Sequence, residues 1–458
     1  MAEYSLEPVA VPPVNTKYRT IKTKIPVPES VPILDSLLET EPRSMLGQPP
    51  VIWHTAEGFI IGDRWGNRWI DWSSCVLVAN VGHGRPEIKE ALMQVIDQGL
   101  LSTYVFVHER RAELAKMLTA LAPDPGNYRV FLLSTGSEAI ENCIKLAKTY
   151  GLKQHGPAKK YIVSFGNAFH GRTMGAQLAG GMEHQKTWMV DRDPSFIQVP
   201  FPDGFETENT SFDLFLEALA ARKVTGPDVA GVIVESYEGV GPFFMPVGYA
   251  QKLAGFCRQH DIVLCMDEVQ AGFGRTGEMF CYEHYGITPD LVACGKGISS
   301  SLPISAVIGR ADIMDLYPPG SMTSTHSASP LPVAAAIANL KVLIRDNLVA
   351  NSAAMGEVLI PELRRIRERY ANRLSPVFGK GLVAGILVVK PGTKEPDPAA
   401  ALAINVSCMQ KGLLMFSPVG TGGHCLKIAP PLSITEEAVR ESLQVFGQAV
   451  DEVLAGSA

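Results

Sequence analysis

Long apolar runs are missing from this 458-residue sequence. No segment approaches the ~20 consecutive apolar residues of a membrane-spanning helix. The first residues also lack the basic segment followed by an apolar one that marks an export signal. Strong charge is missing as well, since the net charge is -6 and the pI is near 6.0. We therefore expect a cytoplasmic protein with neither a membrane nor a nucleic acid as its main partner.

Metal-binding cysteine pairs and a nucleotide-binding loop are missing too. The eight cysteines are scattered without a CxxC pair, and Cys265 and Cys294 lie in apolar runs, as reduced core cysteines do. The only Gly-Lys pairs, at positions 295–296 and 379–380, are each followed by glycine. A phosphate-binding P-loop needs serine or threonine there. We therefore expect reduced cysteines, no metal site and no P-loop nucleotidase.

Alternating strand and helix signals occupy the middle of the chain. Apolar residues at positions 140, 143, 144 and 147 have the spacing of one helix face. Short runs that are apolar on both faces are typical of parallel strands covered by helices. Such runs occur at Val130–Leu133, Tyr161–Phe165, Val229–Val234, Ile262–Met266 and Leu291–Ala293. The alternation predicts a doubly wound, mostly parallel α/β domain.

The length of the chain implies more than one domain. Residues 1–35 carry six prolines and are predicted to form an extended arm, disordered alone or laid across a partner subunit. Residues 36–74 include a hairpin whose turn spans positions 63–67. Residues 75–330 are predicted to form the large α/β domain. Residues 331–458 are predicted to pair with the hairpin as a smaller α+β domain.

The most informative feature is a pair of ionisable residues at the ends of two predicted strands. One apolar run ends at Asp267, and another is followed by Lys296, 29 positions later. Ligands of open α/β sheets bind outside the carboxyl ends of the strands, so both side chains should face one crevice. A lysine can form a Schiff base with pyridoxal phosphate (PLP), and a carboxylate can keep the pyridine nitrogen protonated. Alternatively, Lys296 is an ordinary exposed lysine.

Three further motifs are each open to two interpretations. Ser134–Ala139 places small residues at a helix start, where amide groups bind phosphate, or it is only a capping box. Asn167–Thr173 follows a strand, and its Phe169-His170 pair either packs on a cofactor ring or belongs to the core. Met322–Pro330 is rich in hydroxyl groups. It is either a loop that caps a helix or a source of a phosphate-binding hydroxyl across a dimer interface.

In this order, the motifs resemble those of the class III (ornithine/4-aminobutyrate type) aminotransferases of fold type I. The resemblance extends from about residue 58 to residue 443. Its most specific part is the run MDEVQAGFGRTG that begins at Met266, followed by Pro289-Asp290 and Lys296. The resemblance implies PLP as cofactor, a doubly wound large domain with a smaller α+β domain, and a homodimer with shared active sites.

The resemblance also implies roles for single residues. Lys296 would be the Schiff-base lysine and the proton shuttle, and Asp267 would pair with the pyridine nitrogen. The other implied cofactor contacts are Gly136 and Ser137 at the phosphate, Phe169 on the ring with His170 helping to fix it, Gln270 near the phenolic oxygen, Glu235 in a supporting role, and Thr325 at the phosphate of the neighbouring subunit.

Two departures from the family pattern concern the substrate. The family glutamate that pairs with a substrate-binding arginine is replaced by Val240, and that arginine is replaced by Lys427. Arginine binds a carboxylate through two parallel hydrogen bonds, whereas lysine is a point charge. We therefore expect a primary amine, amino sugar or aldehyde substrate, with a small amino acid or 2-oxo acid as the second one. An ω-amino acid is the alternative substrate. Lys427 and Trp53 are the candidate substrate contacts.

Three functions compete. An aminotransferase would use Lys296 to move a proton from the donor carbon and would follow ping-pong kinetics. A PLP-dependent epimerase or lyase on the same fold would need the same lysine and differ only in the fate of the carbanion. A non-catalytic cofactor-binding or regulatory protein would be expected to lack Lys296 or Asp267, and both are present.

Overall fold

The computed structural model describes residues 3–455, which form two compact units. One unit is Pro86–Val349, and the other combines the segments before and after it. The sequence analysis placed these boundaries at residues 75 and 330 instead. The second boundary differs because helix Pro330–Arg345 packs against helices Pro86–Asp97 and Glu109–Ala120 of the first unit. Among the described residues, no helix is both long and apolar enough to span a membrane.

The strands are numbered in chain order. Five lie before residue 86: β1 Val14–Asn15, β2 Thr20–Ile21, β3 Thr55–Glu57, β4 Ile60–Gly62 and β5 Arg68–Asp71. Seven lie between residues 86 and 349: β6 Tyr128–Leu133, β7 Tyr161–Phe165, β8 Phe196–Val199, β9 Val229–Glu235, β10 Val263–Asp267, β11 Leu291–Cys294 and β12 Ser305–Arg310. Four follow: β13 Phe378–Lys380, β14 Val383–Leu387, β15 Leu413–Leu414 and β16 Cys425–Ile428.

The α-helices alternate with these strands in the middle of the chain and dominate its C-terminal part. They span Val31–Thr40, Pro86–Asp97, Glu109–Ala120, Gly136–His155, Met174–Ala179, Asp213–Ala221, Val247–Gln259, Ala311–Met314, Pro330–Arg345, Leu348–Arg369, Pro398–Gln410 and Glu436–Leu454. A short turn at residues 74–77 differs from all of these, because its four residues have φ angles between 49° and 63°. Such left-handed backbone is strained for residues other than glycine.

The larger unit contains a seven-stranded sheet in the order β6-β12-β11-β10-β9-β7-β8. Strand β12 is antiparallel to both of its neighbours, and the other neighbouring pairs are parallel. Every residue of β9, β10 and β11 is buried, as expected for parallel strands covered on both faces. The predicted fold class, a fold type I doubly wound sheet, is therefore confirmed, including the strands inferred from apolar runs.

Strands β8 and β12 were not predicted. Strand β8 is a four-residue edge strand, and β12 has only the apolar core Ala306-Val307-Ile308. Runs this short do not separate a strand from a loop, and nothing in them indicates an antiparallel direction. Helix Gly136–His155 covers the sheet as predicted: Ile140, Cys143, Ile144 and Ala147 are all buried.

The smaller unit contains a six-stranded and a three-stranded sheet. Strands β4 and β5 form the predicted hairpin, whose turn is held by Asp63: its carboxylate accepts hydrogen bonds from the amides of Trp65 and Asn67 at 2.9 and 2.8 Å. Strand β15 adds in parallel to β5. The three-stranded sheet has the order β13-β14-β16. The C-terminal segment and the hairpin thus share one sheet.

The expectation of an extended N-terminal arm is wrong for the described part of that segment. Strands β1 and β2 pair with each other, and β2 pairs with β5. Ile21, Ile25 and Val27 are buried in a cluster with Trp69 of β5. The segment folds onto its own chain because packing on Trp69 removes these apolar side chains from water.

Candidate active site

Three predicted site residues lie at one edge of the seven-stranded sheet. Asp267 ends β10 and stands beside Glu235, the last residue of β9, and beside Ala293 of β11. Lys296 follows β11 after one residue, Gly295. Because β9, β10 and β11 are parallel, their carboxyl ends meet at this edge. The sheet therefore brings together one lysine and two carboxylates.

Asp267 is paired with His170. The Nδ1 atom of His170 lies 2.7 Å from Oδ2 of Asp267, and both side chains are buried. Oδ1 of Asp267 accepts a hydrogen bond from the amide of Val269 at 3.0 Å. Burial favours the neutral imidazole, but the hydrogen bond to Asp267 and the charges of Asp267 and Glu235 prevail, so the pKa of His170 is raised. The pairing with Asp267 thus favours the protonated form of the imidazole.

Lys296 has the properties of an amine nucleophile. Removal from water lowers the pKa of its ammonium group, although the charges of Asp267 and Glu235 oppose this effect. Within residues 3–455 its Nζ atom makes no hydrogen bond or ion pair. Its backbone is left-handed, with a φ of 43°, and starts a short 3-10 turn over Lys296–Ile298. The side-chain amide of Asn339, which the sequence analysis missed, donates to the carbonyl oxygens of Gly297 and Ile298 at 2.9 Å each.

Two glycines make a confined space beside Lys296. A Cβ atom on Gly136 would lie 2.7 Å from Cγ1 of Val269, and one on Gly295 would lie 3.0 Å from the same atom. The second Cβ would also lie 3.7 Å from Cα of Gly136. The start of helix Gly136–His155 and the loop before Lys296 are therefore neighbours, and side chains at either glycine would fill the space between them.

The helix start supports both interpretations of its sequence. Thr135 and Glu138 form the capping box: the Thr135 hydroxyl accepts from the Glu138 amide at 3.2 Å, and the Glu138 carboxylate accepts from the Thr135 amide at 3.0 Å. In the described structure, the amides of Gly136 and Ser137 make no hydrogen bond. They stand at the positive end of the helix dipole, where an anion is stabilised. The cap and the anion site occupy successive residues of the same turn.

Hydrogen bonds to Glu235 hold the loop after β7 at the same edge of the seven-stranded sheet. One carboxylate oxygen of Glu235 accepts from the amide of Phe169 at 3.0 Å, and the other accepts from the amide of Gly239 at 3.1 Å. A Cβ atom on Gly239 would lie 3.0 Å from Oε1 of Gln270, so Gln270 is close by. Glu235 thereby fixes the position of the half-buried Phe169 ring.

Three predicted residues are not part of this arrangement. Thr325 is exposed, and the described structure shows no contact between it and Gly136 or Ser137. Trp53 belongs to the smaller unit, is 40% exposed and packs edge-on against His83, with ring centroids 5.6 Å apart. Lys427 lies in β16 of the same unit, opposite Gly385 of β14, with its side chain buried.

One buried carboxylate was missed by the sequence analysis. Glu268 follows Asp267 and accepts hydrogen bonds from the Ser236 hydroxyl and from the amides of Cys281 and Tyr282, the latter two at 3.0 and 2.9 Å. Burial raises the pKa of Glu268 to about 7, although these donors oppose the effect. No spacing or pattern in the sequence predicts these partners, because they come from two other loops.

The edge matches the chemical needs of PLP group by group. The uncapped amides of Gly136 and Ser137 suit a phosphate, and the Asp267–His170 pair suits a protonated ring nitrogen. The lysine with a lowered pKa suits an aldehyde carbon, and Phe169 presents an aromatic face. Glycine at positions 136 and 295 keeps side chains out of the region between the helix start and the loop before Lys296. The residues therefore fit the cofactor.

Comparisons with known proteins agree with this fit. The family model for class III aminotransferases matches residues 44–450. A 4-aminobutyrate aminotransferase from Mycobacterium leprae is 32% identical over 444 residues, which cover 94% of this chain and 97% of the relative. An alanine/serine racemase from Pyrococcus horikoshii is 30% identical over 475 residues, covering 99% and 97%. A solved amine transaminase from an uncultivated Pseudomonas species, in its PLP-bound form, has a TM-score of 0.81 and 26% identity, covering 90% and 97%.

The family match spans almost the whole chain, and the relatives align over nearly their full lengths. Together with the lysine, the carboxylates and the anion site at one sheet edge, it confirms the resemblance seen in the sequence motifs. The chain belongs to the class III aminotransferases and is a PLP-dependent enzyme of the transaminase type.

Proposed function

We propose that this aminotransferase moves an amino group between a primary amine or amino sugar, with its aldehyde, and a small amino acid with its 2-oxo acid. The observation that carries the proposal is Lys427 at the position where the family has its carboxylate-binding arginine. A buried lysine cannot offer the two parallel hydrogen bonds that hold an α-carboxylate. The likeness to a solved amine transaminase supports the same substrate class.

The proposed roles follow from the contacts at the sheet edge. When bound, PLP supplies the electron sink for the carbon that loses its proton. Lys296 would carry that proton, because burial lowers its pKa and so favours the neutral amine. Asp267, hydrogen-bonded to His170, would hold the ring nitrogen. Gly136 and Ser137 would bind the phosphate. Glu235, which accepts from the Phe169 amide, would position Phe169 on the ring, and Gln270 would lie near the phenolic oxygen.

Substrate kinetics test the proposed substrate class. Primary amines and amino sugars that lack an α-carboxylate should give higher kcat/KM values than ornithine, acetylornithine or 4-aminobutyrate, each measured with the same 2-oxo acid. Lys427→Arg provides the matched variant and should improve carboxylate-bearing donors selectively. If any of the three amino acids reaches about 10⁴ M⁻¹s⁻¹ or more with the unaltered enzyme, the typical range of a natural substrate, the ω-amino acid alternative replaces the proposal.

An epimerase is the second candidate function, because an alanine/serine racemase aligns over 99% of this chain. Racemisation uses the same lysine and returns the proton to the donor carbon. The amine donor alone distinguishes the two reactions. A transaminase converts its bound cofactor to the amine form and loses the visible absorbance in one half-reaction. An epimerase keeps that absorbance while the enantiomer of the donor accumulates.

The proposal includes a homodimer with shared active sites. Loop residues Phe106 and Val107 are 76% and 87% exposed, an apolar surface that typically marks an interface. The hydroxyl-rich loop Met322–Pro330 contacts the segment that carries Phe106 and Val107. The Tyr104 hydroxyl lies 3.2 Å from the Thr323 hydroxyl, and His108 lies 2.9 Å from the Ala328 carbonyl. The exposed Thr325 of this loop would then serve the phosphate of the second subunit. Eight free cysteines fit the reducing cytoplasm that we also propose.

A hydroxyl-removing variant tests the shared site. Thr325→Val should weaken cofactor retention by about 1–3 kcal/mol, the effect of one lost phosphate hydrogen bond. Thr323→Val, two residues away, removes a hydroxyl that contacts Tyr104 and should leave retention unchanged. Dialysis against buffer without cofactor, followed by light scattering, measures occupancy and mass. A monomer that keeps its full complement of cofactor would contradict the dimer.

A further inference from the structure

The second ring nitrogen of His170 has no partner in the described structure. Nδ1 is paired with Asp267, but Nε2 is buried and makes no hydrogen bond. Whether the ring is neutral or protonated, this nitrogen is a strong acceptor or donor. A buried polar atom of this kind is usually satisfied by protein or by an ordered water molecule.

The wall of a small cavity includes His170. Its volume is about 10 Å³, and its wall also includes Gln177, Met182 and Gln185. A cavity of roughly 10–15 Å³ is the smallest that holds one water molecule, provided that it offers two or more polar partners. The cavity therefore matches the room that a single water molecule needs.

Gln177 is held so that its amide can serve this cavity. The side chain is buried, its Nε2 donates to the carbonyl of Gln185 at 2.8 Å, and its Oε1 accepts from Nε1 of Trp188 at 3.2 Å. These two bonds leave one N–H group and one lone pair of the amide unused. The amide can therefore accept from or donate to a water molecule without losing either bond.

We propose that this cavity holds one water molecule and that Gln177 is a positioning residue. The water completes a chain of hydrogen bonds that runs from Asp267 through His170 and the water to the Gln177 amide. The carboxylates that face His170 are Asp267 on β10 and Glu235 on β9. Both favour the protonated ring, and the water accepts the second N–H that this state carries. This chain of hydrogen bonds thus favours the charge on Asp267 that the proposed contact with the ring nitrogen uses. The inference rests on the proposed function only through that contact.

The first test uses the apoprotein, so that it does not depend on catalysis. NMR of protein with ¹⁵N-labelled histidine follows the protonation of His170 against pH, with the signal assigned by its loss in His170→Gln. Gln177→Met keeps the length of the side chain but removes both polar atoms, so the doubly protonated ring should disappear at lower pH than in the unaltered protein. Trp188→Phe, the control, removes a hydrogen bond to the same amide from outside the cavity and should leave the titration unchanged.

Two results would overturn the proposal. One is a Gln177→Met titration that superimposes on that of the unaltered protein, and the other is an equal shift in Trp188→Phe, which would indicate a general change of the loop. A high-resolution crystal structure of the unaltered enzyme supplies a measurement that needs no variant. It should show a water molecule within hydrogen-bond distance of His170 Nε2 and Gln177, and a dry cavity would refute the proposal.

The pH profile of the holoenzyme should also show the effect of this chain of hydrogen bonds. In Gln177→Met, kcat should fall by roughly two- to tenfold, as for one hydrogen bond acting at a distance, with KM nearly unchanged and the alkaline limb of the profile moved to lower pH. An unchanged limb with a raised KM would mean that Gln177 acts on substrate binding and would refute the positioning role. Complete inactivity of the unaltered enzyme with every amine donor would remove the proposed function but leave the apoprotein titration intact.

Discussion

Asp267 and Glu268 are adjacent carboxylates at the end of one strand, yet they have different surroundings. Asp267 meets a cationic partner, His170, beside the lysine and the anion site. Glu268 meets only neutral donors: one hydroxyl and the amides of Cys281 and Tyr282. Both side chains are buried. The pleat of the strand directs one acid to the candidate active site and the other to the loops behind it.

The difference shows what stabilises a buried charge. An imidazole with a raised pKa offers Asp267 a partner that can carry the opposite charge. Neutral donors do not fully offset the loss of hydration at Glu268, and burial raises its pKa to about 7. Therefore we expect variants on the Asp267 side to change activity and variants on the Glu268 side to change stability.

Lys296→Ala should have the largest effect on the functional side. The variant removes the nucleophile and the proton carrier together, so transamination should fall to trace levels and the visible absorbance of bound cofactor should be lost. The fold should remain, because the Nζ atom of Lys296 makes no hydrogen bond or ion pair within residues 3–455, and alanine keeps the carbonyl that accepts from the Ser299 amide. Lys159→Ala is a matched control: Lys159 is also a buried lysine with a lowered pKa, but its Nζ donates to the carbonyl of His260. More than trace activity in Lys296→Ala would contradict the assignment.

Asp267→Asn should lower kcat by at least about 10²–10³-fold, because a neutral amide cannot stabilise a charge that develops at the ring nitrogen. Cofactor should still bind through Lys296 and the phosphate contacts. Steady-state kinetics and cofactor occupancy measure the two quantities separately. Near-normal turnover in this variant would contradict the proposed difference in function between Asp267 and Glu268.

Glu268→Gln makes the same acid-to-amide change on the other side and should leave kcat nearly unchanged. The folded-state pKa of Glu268, about 7, is above its model value of 4.5. A raised acid pKa means that the folded state prefers the protonated form, so the native protein loses stability as pH rises from about 4.5 to 7. Relative to the unaltered protein, Glu268→Gln should therefore gain on the order of 2–3 kcal/mol between pH 4.5 and pH 8. Thermal unfolding at both pH values checks this, and a constant difference would contradict it.

Gly136→Ala should have the smallest effect, a roughly tenfold loss of cofactor affinity, because the new methyl group meets Val269 at 2.7 Å. Val269→Ala in the same chain should restore part of the affinity. Gly248→Ala is the control, since a Cβ atom there would have no neighbour within 4 Å. Spectrophotometric cofactor titration measures all three, and an unaffected Gly136→Ala variant would show that the helix start tolerates side chains.

Much of the site was predictable because the sequence marks the ends of parallel strands. Asp267 and Lys296 stand out as single ionisable residues after apolar runs, and parallel strands must bring such residues to one edge. The helix start at Gly136 was recognisable from small residues after a strand. The roles of all the predicted site residues remain predictions, and those of Thr325, Trp53 and Lys427 rest on the resemblance alone.

The sequence alone was enough to predict five strands of the large sheet, the family, and the residues whose type carries the chemistry. Local patterns suffice for these predictions because burial on both faces and helical spacing can be recognised from the residue types at a few neighbouring positions. Only the tertiary structure decided that His170 pairs with Asp267, 97 positions away, that β12 runs antiparallel, and that the N-terminal segment packs onto its own chain. These features depend on which distant segments meet, and contacts of that kind leave no periodic signal in the sequence.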